Sequence, residues 1–215
     1  MVKVKIRNER LIEKRQSQIC KGAIKVFRQK GFHASSIRDI AKASNISLGS
    51  LYDYIEKKED IFFLVHKDIH QHIHTRLIEG IGKSDDTVEQ LIHVFKGLFD
   101  LSIEKKQEIL FIFNETRYIN KEDLVELQEY ERQVIDTFKS LIDKGVEEGT
   151  FTCRQPDIFS NVLLLIGSLI PLRGWRVLPM FHKDEIFFNL IYLILKGLNT
   201  RKDDSEIMRM IEKVL

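Results

Sequence analysis

Residues 36–54 read SIRDIAKASNISLGSLYDY, and this stretch decides the fold because its pattern predicts two short helices joined by a tight turn. In the first predicted helix, Ile37 and Ile40 recur at the spacing of one helix face. Ser36 stands at the N-cap position, and Asp39 follows three residues later as in a capping box. Two helices joined in this way form a helix-turn-helix, the unit that places its second helix in the DNA major groove.

The second predicted helix of this stretch has a small, polar outer face. Ser47 stands at its N-cap position, and Leu51 and Ile55 define its buried side. The opposite side consists of Gly49, Ser50, Tyr52 and Asp53. A glycine lets a helix backbone approach a groove closely, and hydroxyl groups bond to phosphate oxygens or base edges. The alternative interpretation of the same pattern is an ordinary solvated face on a small helical domain.

The flanking sequence favours the DNA-binding interpretation. The run AIKVFRQKGFHASSIRDIAKASNISLGSLYDYIEKKEDIFFLV, residues 23–65, resembles the N-terminal domain of the TetR/AcrR family of bacterial transcription regulators. The matching features are Ala23, Phe27, Gly31, Phe32, the pair Ile40 and Ala41, the pair Leu51 and Tyr52, and the pair Lys58 and Glu59. Two positions depart from the family pattern: Ile55 stands where phenylalanine is usual, and Asp53 stands where a basic or aromatic residue is common.

The resemblance implies a ligand-responsive regulator, most simply a repressor, that binds palindromic double-stranded operator DNA as a homodimer. The outer face of the second helix and this resemblance together predict the DNA contacts. Hydroxyl and ammonium groups are expected to position phosphates, while Leu48, Gly49 and Ser50 lie near base edges. The predicted DNA-binding residues are Ser36, Arg38, Ser47, Leu48, Gly49, Ser50, Tyr52, Asp53, Tyr54 and Lys58.

The distribution of charge supports contact with a polyanion. Residues 1–60 carry 14 Lys and Arg against 7 Asp and Glu, whereas the rest of the chain carries 20 against 25. A basic end on an acidic remainder is the electrostatic pattern of a nucleic-acid-binding domain. Two distant cysteines and a charged N-terminus without an apolar core predict a cytoplasmic protein. The apolar runs are too short to span a bilayer, so no membrane partner is expected.

The whole chain is predicted to be all-α, with two domains. Residues 1–57 form the helix-turn-helix domain, in which residues 1–9 are a basic arm, and residues 58–215 form a helical domain for ligand binding and dimerisation. The apolar stripe of the fourth predicted helix runs from about Lys58 to Ile81 without a glycine- or proline-rich linker. One continuous helix is therefore expected to join the two domains.

Two helices predicted at residues 157–172 and 183–198 are apolar almost all round. A helix that is hydrophobic on both sides must be covered on both sides. Two copies of both helices would form a four-helix bundle about a two-fold axis, an arrangement that the family resemblance also implies. The predicted interface residues are Leu163, Ile166, Ile170, Leu190, Leu193 and Ile194.

The phenylalanine-rich second domain predicts an apolar or amphipathic small-molecule effector, with polar groups near residues 114–117 that could orient it. A long helix ending at Gly145 and Gly149, followed by an apolar helix and a tryptophan, resembles family members that sense fatty acyl-coenzyme A. The predicted effector contacts are Ile73, Leu77, Phe95, Phe99, Phe113, Asn114, Arg117, Phe138 and Trp175. An intrasubunit salt bridge at a helix end is the alternative interpretation of the polar group.

Two other functions remain open from the sequence. His66, His70 and His74 share one helix stripe, which allows a metal-sensing regulator, although no cysteine or carboxylate lies at ligand spacing nearby. A helical small-molecule carrier or enzyme without DNA binding is the other alternative. The sequence contains no phosphate loop, nucleophile elbow or paired zinc motif, so neither an enzyme nor a cofactor is expected.

Overall fold

The computed structural model describes residues 9–115 and 121–215, and within them all regular secondary structure is helical, which confirms the all-α class. The first eight residues of the basic arm and Arg117 lie outside the described residues. The helices are α1 (Glu9–Ala34), α2 (Ile37–Ala43), α3 (Leu48–Tyr52), α4 (Asp60–Ile81), α5 (Thr87–Glu104), α6 (Lys106–Glu115), α7 (Lys121–Glu147), α8 (Pro156–Gly167), α9 (Leu169–Val177), α10 (Lys183–Gly197) and α11 (Asp204–Glu212).

The chain packs into two compact units. The head unit comprises the described residues of Met1–His70 and Leu110–Gln128, and the body unit comprises Gln71–Ile109 and Glu129–Leu215. The predicted helix-turn-helix domain lies within the head unit, and its boundary after residue 57 stays a prediction. Part of α6 and the start of α7 also belong to the head unit, which the sequence pattern did not indicate.

Local sequence signals define the first three helices. Gly31 has a φ of 76° and interrupts the helical geometry of α1, as a residue without a Cβ allows. Ser36 and Asp39 form the predicted capping box at the start of α2. At the start of α3, the Ser47 side chain accepts a hydrogen bond from the Ser50 amide. The apolar faces of these helices meet in a core that includes Ile19, Ala23, Phe27, Ile40, Leu51 and Ile55.

The turn between α2 and α3 rests directly on α1. The Gln18 amide donates to the Ser44 carbonyl oxygen over 2.5 Å, and Ser44 lies against Gly22. A Cβ added at Gly22 would lie 2.7 Å from the Ser44 backbone nitrogen and 2.8 Å from its Cα. Glycine at this position therefore sets how closely the helix-turn-helix approaches α1.

In the body unit, α5 packs against α8, α9 and α10, and α10 packs against α11. The single helix predicted at residues 157–172 is wrong, because the chain bends by 47° between α8 and α9. Leu98 of α5 occupies the space where Gly167 would carry a Cβ, and Ser168 leaves helical geometry with φ −87° and ψ 8°. In the described part of the chain no single helix has the length and apolar composition of a membrane span. Only α8 and α9, counted together as this bent pair, have them.

We expect Gly22→Ala to lower the free energy of unfolding by about 1–3 kcal/mol, because the new methyl group overpacks the contact with Ser44. Gly49→Ala is the matched control, since no atom lies within 4 Å of a Cβ at that position and alanine favours the helix. Urea denaturation followed by circular dichroism measures both. Equal unfolding midpoints for the two variants would contradict the close-packing argument.

Candidate nucleic-acid interface

The outer face of α3 is exposed and small. Leu51 is fully buried, which turns Gly49, Ser50 and Tyr52 towards solvent, with Tyr52 52% exposed. Leu48 is half-buried at the edge of this face. A groove-facing helix needs this combination of a bare backbone and hydroxyl groups that are free of bulky neighbours. Ser47 and Asp53, which flank α3 at its two ends and were also predicted to contact DNA, are exposed as well.

An ion pair fixes the start of α2 beside this face. Lys30 Nζ lies 2.7 Å from Asp39 Oδ1, and the other oxygen of Asp39 accepts from the Ser36 amide and hydroxyl. The hydrogen bond from Lys30, with those from Ser36, lowers the pKa of Asp39 to about 2. The Ser36 hydroxyl therefore donates its proton within the cap, although the residue remains exposed. Arg38 is exposed on the same helix.

Two predicted DNA contacts are wrong. Tyr54 is 2% exposed and belongs to the head core, where burial raises the pKa of its phenol. Lys58 Nζ donates to the carbonyl oxygens of Phe32, His33 and Ser35, at 2.7, 3.3 and 3.0 Å. An ammonium group has three N–H donors, so Lys58 uses all of them to hold the end of α1 and is not available to a phosphate.

Comparison with known proteins agrees with this geometry. Residues 19–65 match the model of bacterial regulatory proteins of the tetR family, and residues 84–172 match the model described as tetracyclin repressor-like, C-terminal domain. The two matches cover more than half of the chain. The chain belongs to the TetR family. It is therefore a DNA-binding transcription regulator with a helix-turn-helix, as the sequence predicted.

Individual relatives are distant in sequence. The chain is 26% identical over 193 residues to the uncharacterized HTH-type transcriptional regulator YhgD of Bacillus subtilis, covering 86% of this chain and 97% of that protein. A TetR-family regulator from Rhodococcus RHA1 has a TM-score of 0.77 at 17% identity, covering 88% of this chain and 99% of its own. AibR, solved with isovaleryl coenzyme A and operator DNA, has a TM-score of 0.68 at 16% identity, with 83% and 97% coverage. Identities this low show the TetR fold alone.

The structure divides the predicted dimer residues between two sides of their helices. Leu163, Ile170 and Ile194 are buried within the body unit, so their assignment to a subunit interface is wrong. Leu193 is 62% exposed, and Ile166 and Leu190 are half-buried. The sequence pattern missed three exposed side chains of α8, because an all-apolar helix does not reveal which side faces out. They are Ile158, Val162 and Leu165.

An apolar concavity of about 250 Å³ lies on this exposed side of the body unit. Its lining comes from α8, α9 and α10, and Arg173 supplies the one charged group. Arg173, Trp175 and Arg176 lie on helix α9. The lining residues are Leu165, Ile166, Leu169, Leu172, Arg173 and Leu190.

Most of the predicted effector contacts in the body unit are core residues. Ile73 and Leu77 are buried on α4, and Phe95 and Phe138 are fully buried on α5 and α7. The rings of Phe95 and Phe99 lie 6.1 and 5.5 Å from that of Phe187. These side chains form the core of the body unit, and their role as effector contacts stays a prediction.

The other predicted effector contacts do not join this core. Phe113 and Asn114 are exposed and belong to the head unit, because α6 passes from one unit to the other after Ile109. Trp175 is 69% exposed on α9. Arg117 lies outside the described residues, so the polar group predicted around it stays a prediction.

The histidines of α4 do not converge on a metal position. His66 and His70 are buried with ring centroids 6.2 Å apart, whereas His74 is exposed. Among the described residues no group of three or more His, Cys, Asp or Glu side chains could hold a metal ion. Burial, with the neighbouring His70, lowers the pKa of His66 to about 3, and burial lowers that of His70 to about 4. Both imidazoles are therefore neutral at pH 7.

These shifts predict that the protein loses stability in mild acid. The unfolded chain binds a proton at each imidazole below about pH 6.5, whereas the native chain does not until about pH 3 to 4. Stability should therefore fall as the pH drops from about 6.5 to 4, by at most about 1.4 kcal/mol per pH unit for each histidine. His66→Leu should make the decline shallower, and exposed His74→Leu should not. Urea unfolding midpoints of the unmodified protein and both variants, measured from pH 6.5 to 4, test this. The same decline of the midpoint with pH in all three proteins would contradict the prediction.

Proposed function

We propose that this protein is a homodimeric repressor that binds a palindromic operator and leaves it when an apolar or amphipathic effector binds. The observation that carries the DNA-binding part is the outer face of α3, where burial of Leu51 leaves Gly49, Ser50 and Tyr52 exposed together. Operator DNA lies in the bacterial cytoplasm, so the proposed role locates the protein there. The role is regulatory and requires no catalytic group.

The charge of the head unit supports this proposal. Lys21, Lys25 and Arg28 are exposed on α1, in the part of the sequence with the largest excess of basic residues. Phosphate contacts by such groups release counterions from DNA, so affinity should fall steeply with salt. The Tyr52 hydroxyl is half-exposed, and the exposed Ser50 hydroxyl accepts from the Ser47 hydroxyl and keeps its own proton to donate to a phosphate or base.

A second copy of the chain is the occupant that fits the exposed side of α8 and α10. Ile158, Leu165 and Leu193 are each about 60% exposed, and Leu165 lines the same apolar concavity as Leu190 of α10. In a two-fold interface each surface meets its own copy, so a protruding leucine of one copy can enter the apolar concavity of the other. Covering this face would remove the cost of leaving it in water.

The effector proposal rests on α4 and on a relative. AibR was solved with isovaleryl coenzyme A, an amphipathic molecule with a short acyl chain, and we propose a ligand of that class here. Such a ligand would act on the body-unit half of α4, near Ile73 and Leu77. Since α4 continues into the head unit, displacement of that half would alter how the two α3 helices of a dimer meet their half-sites.

Release from the operator requires the effector to favour one form of the protein strongly. To move the protein from almost entirely operator-bound to almost entirely released, the effector must bind the released form about 10⁴-fold more tightly, or by about 5.5 kcal/mol. By reciprocity, operator DNA must weaken effector binding by the same factor. A ligand that binds both forms equally, however tightly, would leave the operator occupied.

Tyr52→Phe tests the DNA-binding role. Duplexes enriched by the unmodified protein from a randomised pool serve as the operator probe, and affinity is followed by fluorescence anisotropy. Loss of one phosphate hydrogen bond in each half-site should weaken binding to all sequences alike, by about 1 kcal/mol, or about fivefold, per half-site. Tyr54→Phe is the matched control, because that hydroxyl is buried without a hydrogen-bond partner among the described residues. An altered sequence preference at unchanged affinity would assign Tyr52 a different role, and failure to enrich any sequence would refute the DNA-binding proposal.

Leu193→Glu tests the proposed dimer. A charge at this exposed position should give monomers or aggregates, because the carboxylate would be buried against apolar side chains of the second copy. Ile78→Glu on α4 is the control, since Ile78 is 56% exposed but lies on a different helix. Light scattering coupled to size exclusion gives the mass of each variant. A folded dimer for Leu193→Glu and for Leu165→Glu would rule out this face.

A further inference from the structure

An aromatic cluster in the head unit includes a ring from far downstream in the sequence. Phe111 of α6 lies 5.0 Å from Phe27 of α1 and 4.9 Å from Phe62 of α4, measured between ring centroids. The planes are nearly parallel, at 12° and 8°, and Phe27 and Phe62 are themselves 6.4 Å apart at 16°. Offset stacking of this kind is worth about 0.5–1.5 kcal/mol per pair beyond the buried area.

The cluster continues from these rings to the start of the helix-turn-helix. Phe62 lies 4.5 Å from the ring of Phe32, and Lys58 Nζ lies 4.3 Å above that same ring. Lys58 also donates to the Ser35 carbonyl oxygen, one residue before the N-cap of α2. An unbroken series of contacts therefore runs from Phe111 through α4 and the end of α1 to the residue that precedes α2.

We propose that Phe111 is a positioning residue for operator binding. Its ring stacks on α1 and α4 at once, and so fixes the angle at which the start of α4 holds the end of α1 and the first turn of α2. The recognition helix α3 follows α2 after a short turn, so its direction depends on this angle. The helix-turn-helix is thus completed by a side chain that the N-terminal 65 residues do not contain. The inference rests on the proposed DNA binding.

The same helix provides a matched control. Phe113 lies two residues further along α6 and is 49% exposed, whereas Phe111 is half-buried in the stack. Phe111→Leu keeps apolar volume but removes both stacking contacts. Phe111→Tyr keeps the ring, and the partial exposure of the position gives its hydroxyl access to water. Phe113→Leu makes the same chemical change as Phe111→Leu at a side chain that is 49% exposed.

The experiment measures affinity of the full-length variants for two duplexes of equal length, one enriched from the randomised pool by the unmodified protein and one with its bases scrambled. A positioning role predicts that Phe111→Leu loses about five- to tenfold in affinity for the enriched duplex, while affinity for the scrambled duplex stays within about twofold. Misdirected recognition helices lose base contacts but keep the non-specific attraction to phosphates. Phe111→Tyr and Phe113→Leu should bind both duplexes like the unmodified protein.

Two results would overturn the inference while leaving DNA binding intact. In the first, Phe111→Leu binds the enriched duplex as tightly as the unmodified protein. In the second, it loses affinity for both duplexes equally and its circular dichroism shows lost helix, which would mean that Phe111 only stabilises the fold. If the unmodified protein enriches no sequence, the proposed function fails first and this inference falls with it.

Discussion

Burial of Leu51 is the constraint on which the rest of the structure depends. A helix of five residues cannot hold itself together in water, since nucleation alone costs more than so few hydrogen bonds return. The α3 helix exists because Leu51 is anchored in the head core and because Ser47 caps its first turn. That single anchor also decides which side chains face outward. Any residue that shapes the core beneath Leu51 consequently influences what α3 can present to DNA.

The core beneath α3 is more widely assembled than a local motif. Gly22 admits the turn to α1, Lys58 holds the end of α1 through three carbonyl oxygens, and Phe111 brings in a ring from α6. These contacts join segments that are distant in sequence. Disturbing one of them can therefore change the direction of α3 without changing any residue of α3 itself. A regulator benefits from such an arrangement, because operator binding demands a defined spacing and direction of two identical helices.

Local signals were enough to predict the all-α fold and the first residues of α2 and α3, since capping boxes and apolar periodicity act over three or four residues. The end of α3 was not predicted, because Ile55 was placed on this helix and lies beyond Tyr52. Local signals did not predict which side chains are buried by contacts with other helices. Tyr54 was predicted to contact DNA, yet it turns into the core. In the body unit, α8 and α10 are apolar on every side, so periodicity could not separate buried Leu163 from exposed Leu165. The break after Gly167 has local signals in Gly167, Ser168 and Pro171, which the all-apolar pattern outweighed, and Leu98 of another helix occupies the space beside Gly167.

We propose that a two-fold dimer presents two copies of the α3 face to successive turns of DNA. Ethylation interference on the bound, enriched duplex tests this most directly, because it identifies every phosphate that the protein needs. We expect two symmetric groups of sensitive phosphates whose centres lie about one helical turn apart, roughly 34–36 Å or slightly more. A single group of sensitive phosphates, or two groups without two-fold symmetry, would contradict it.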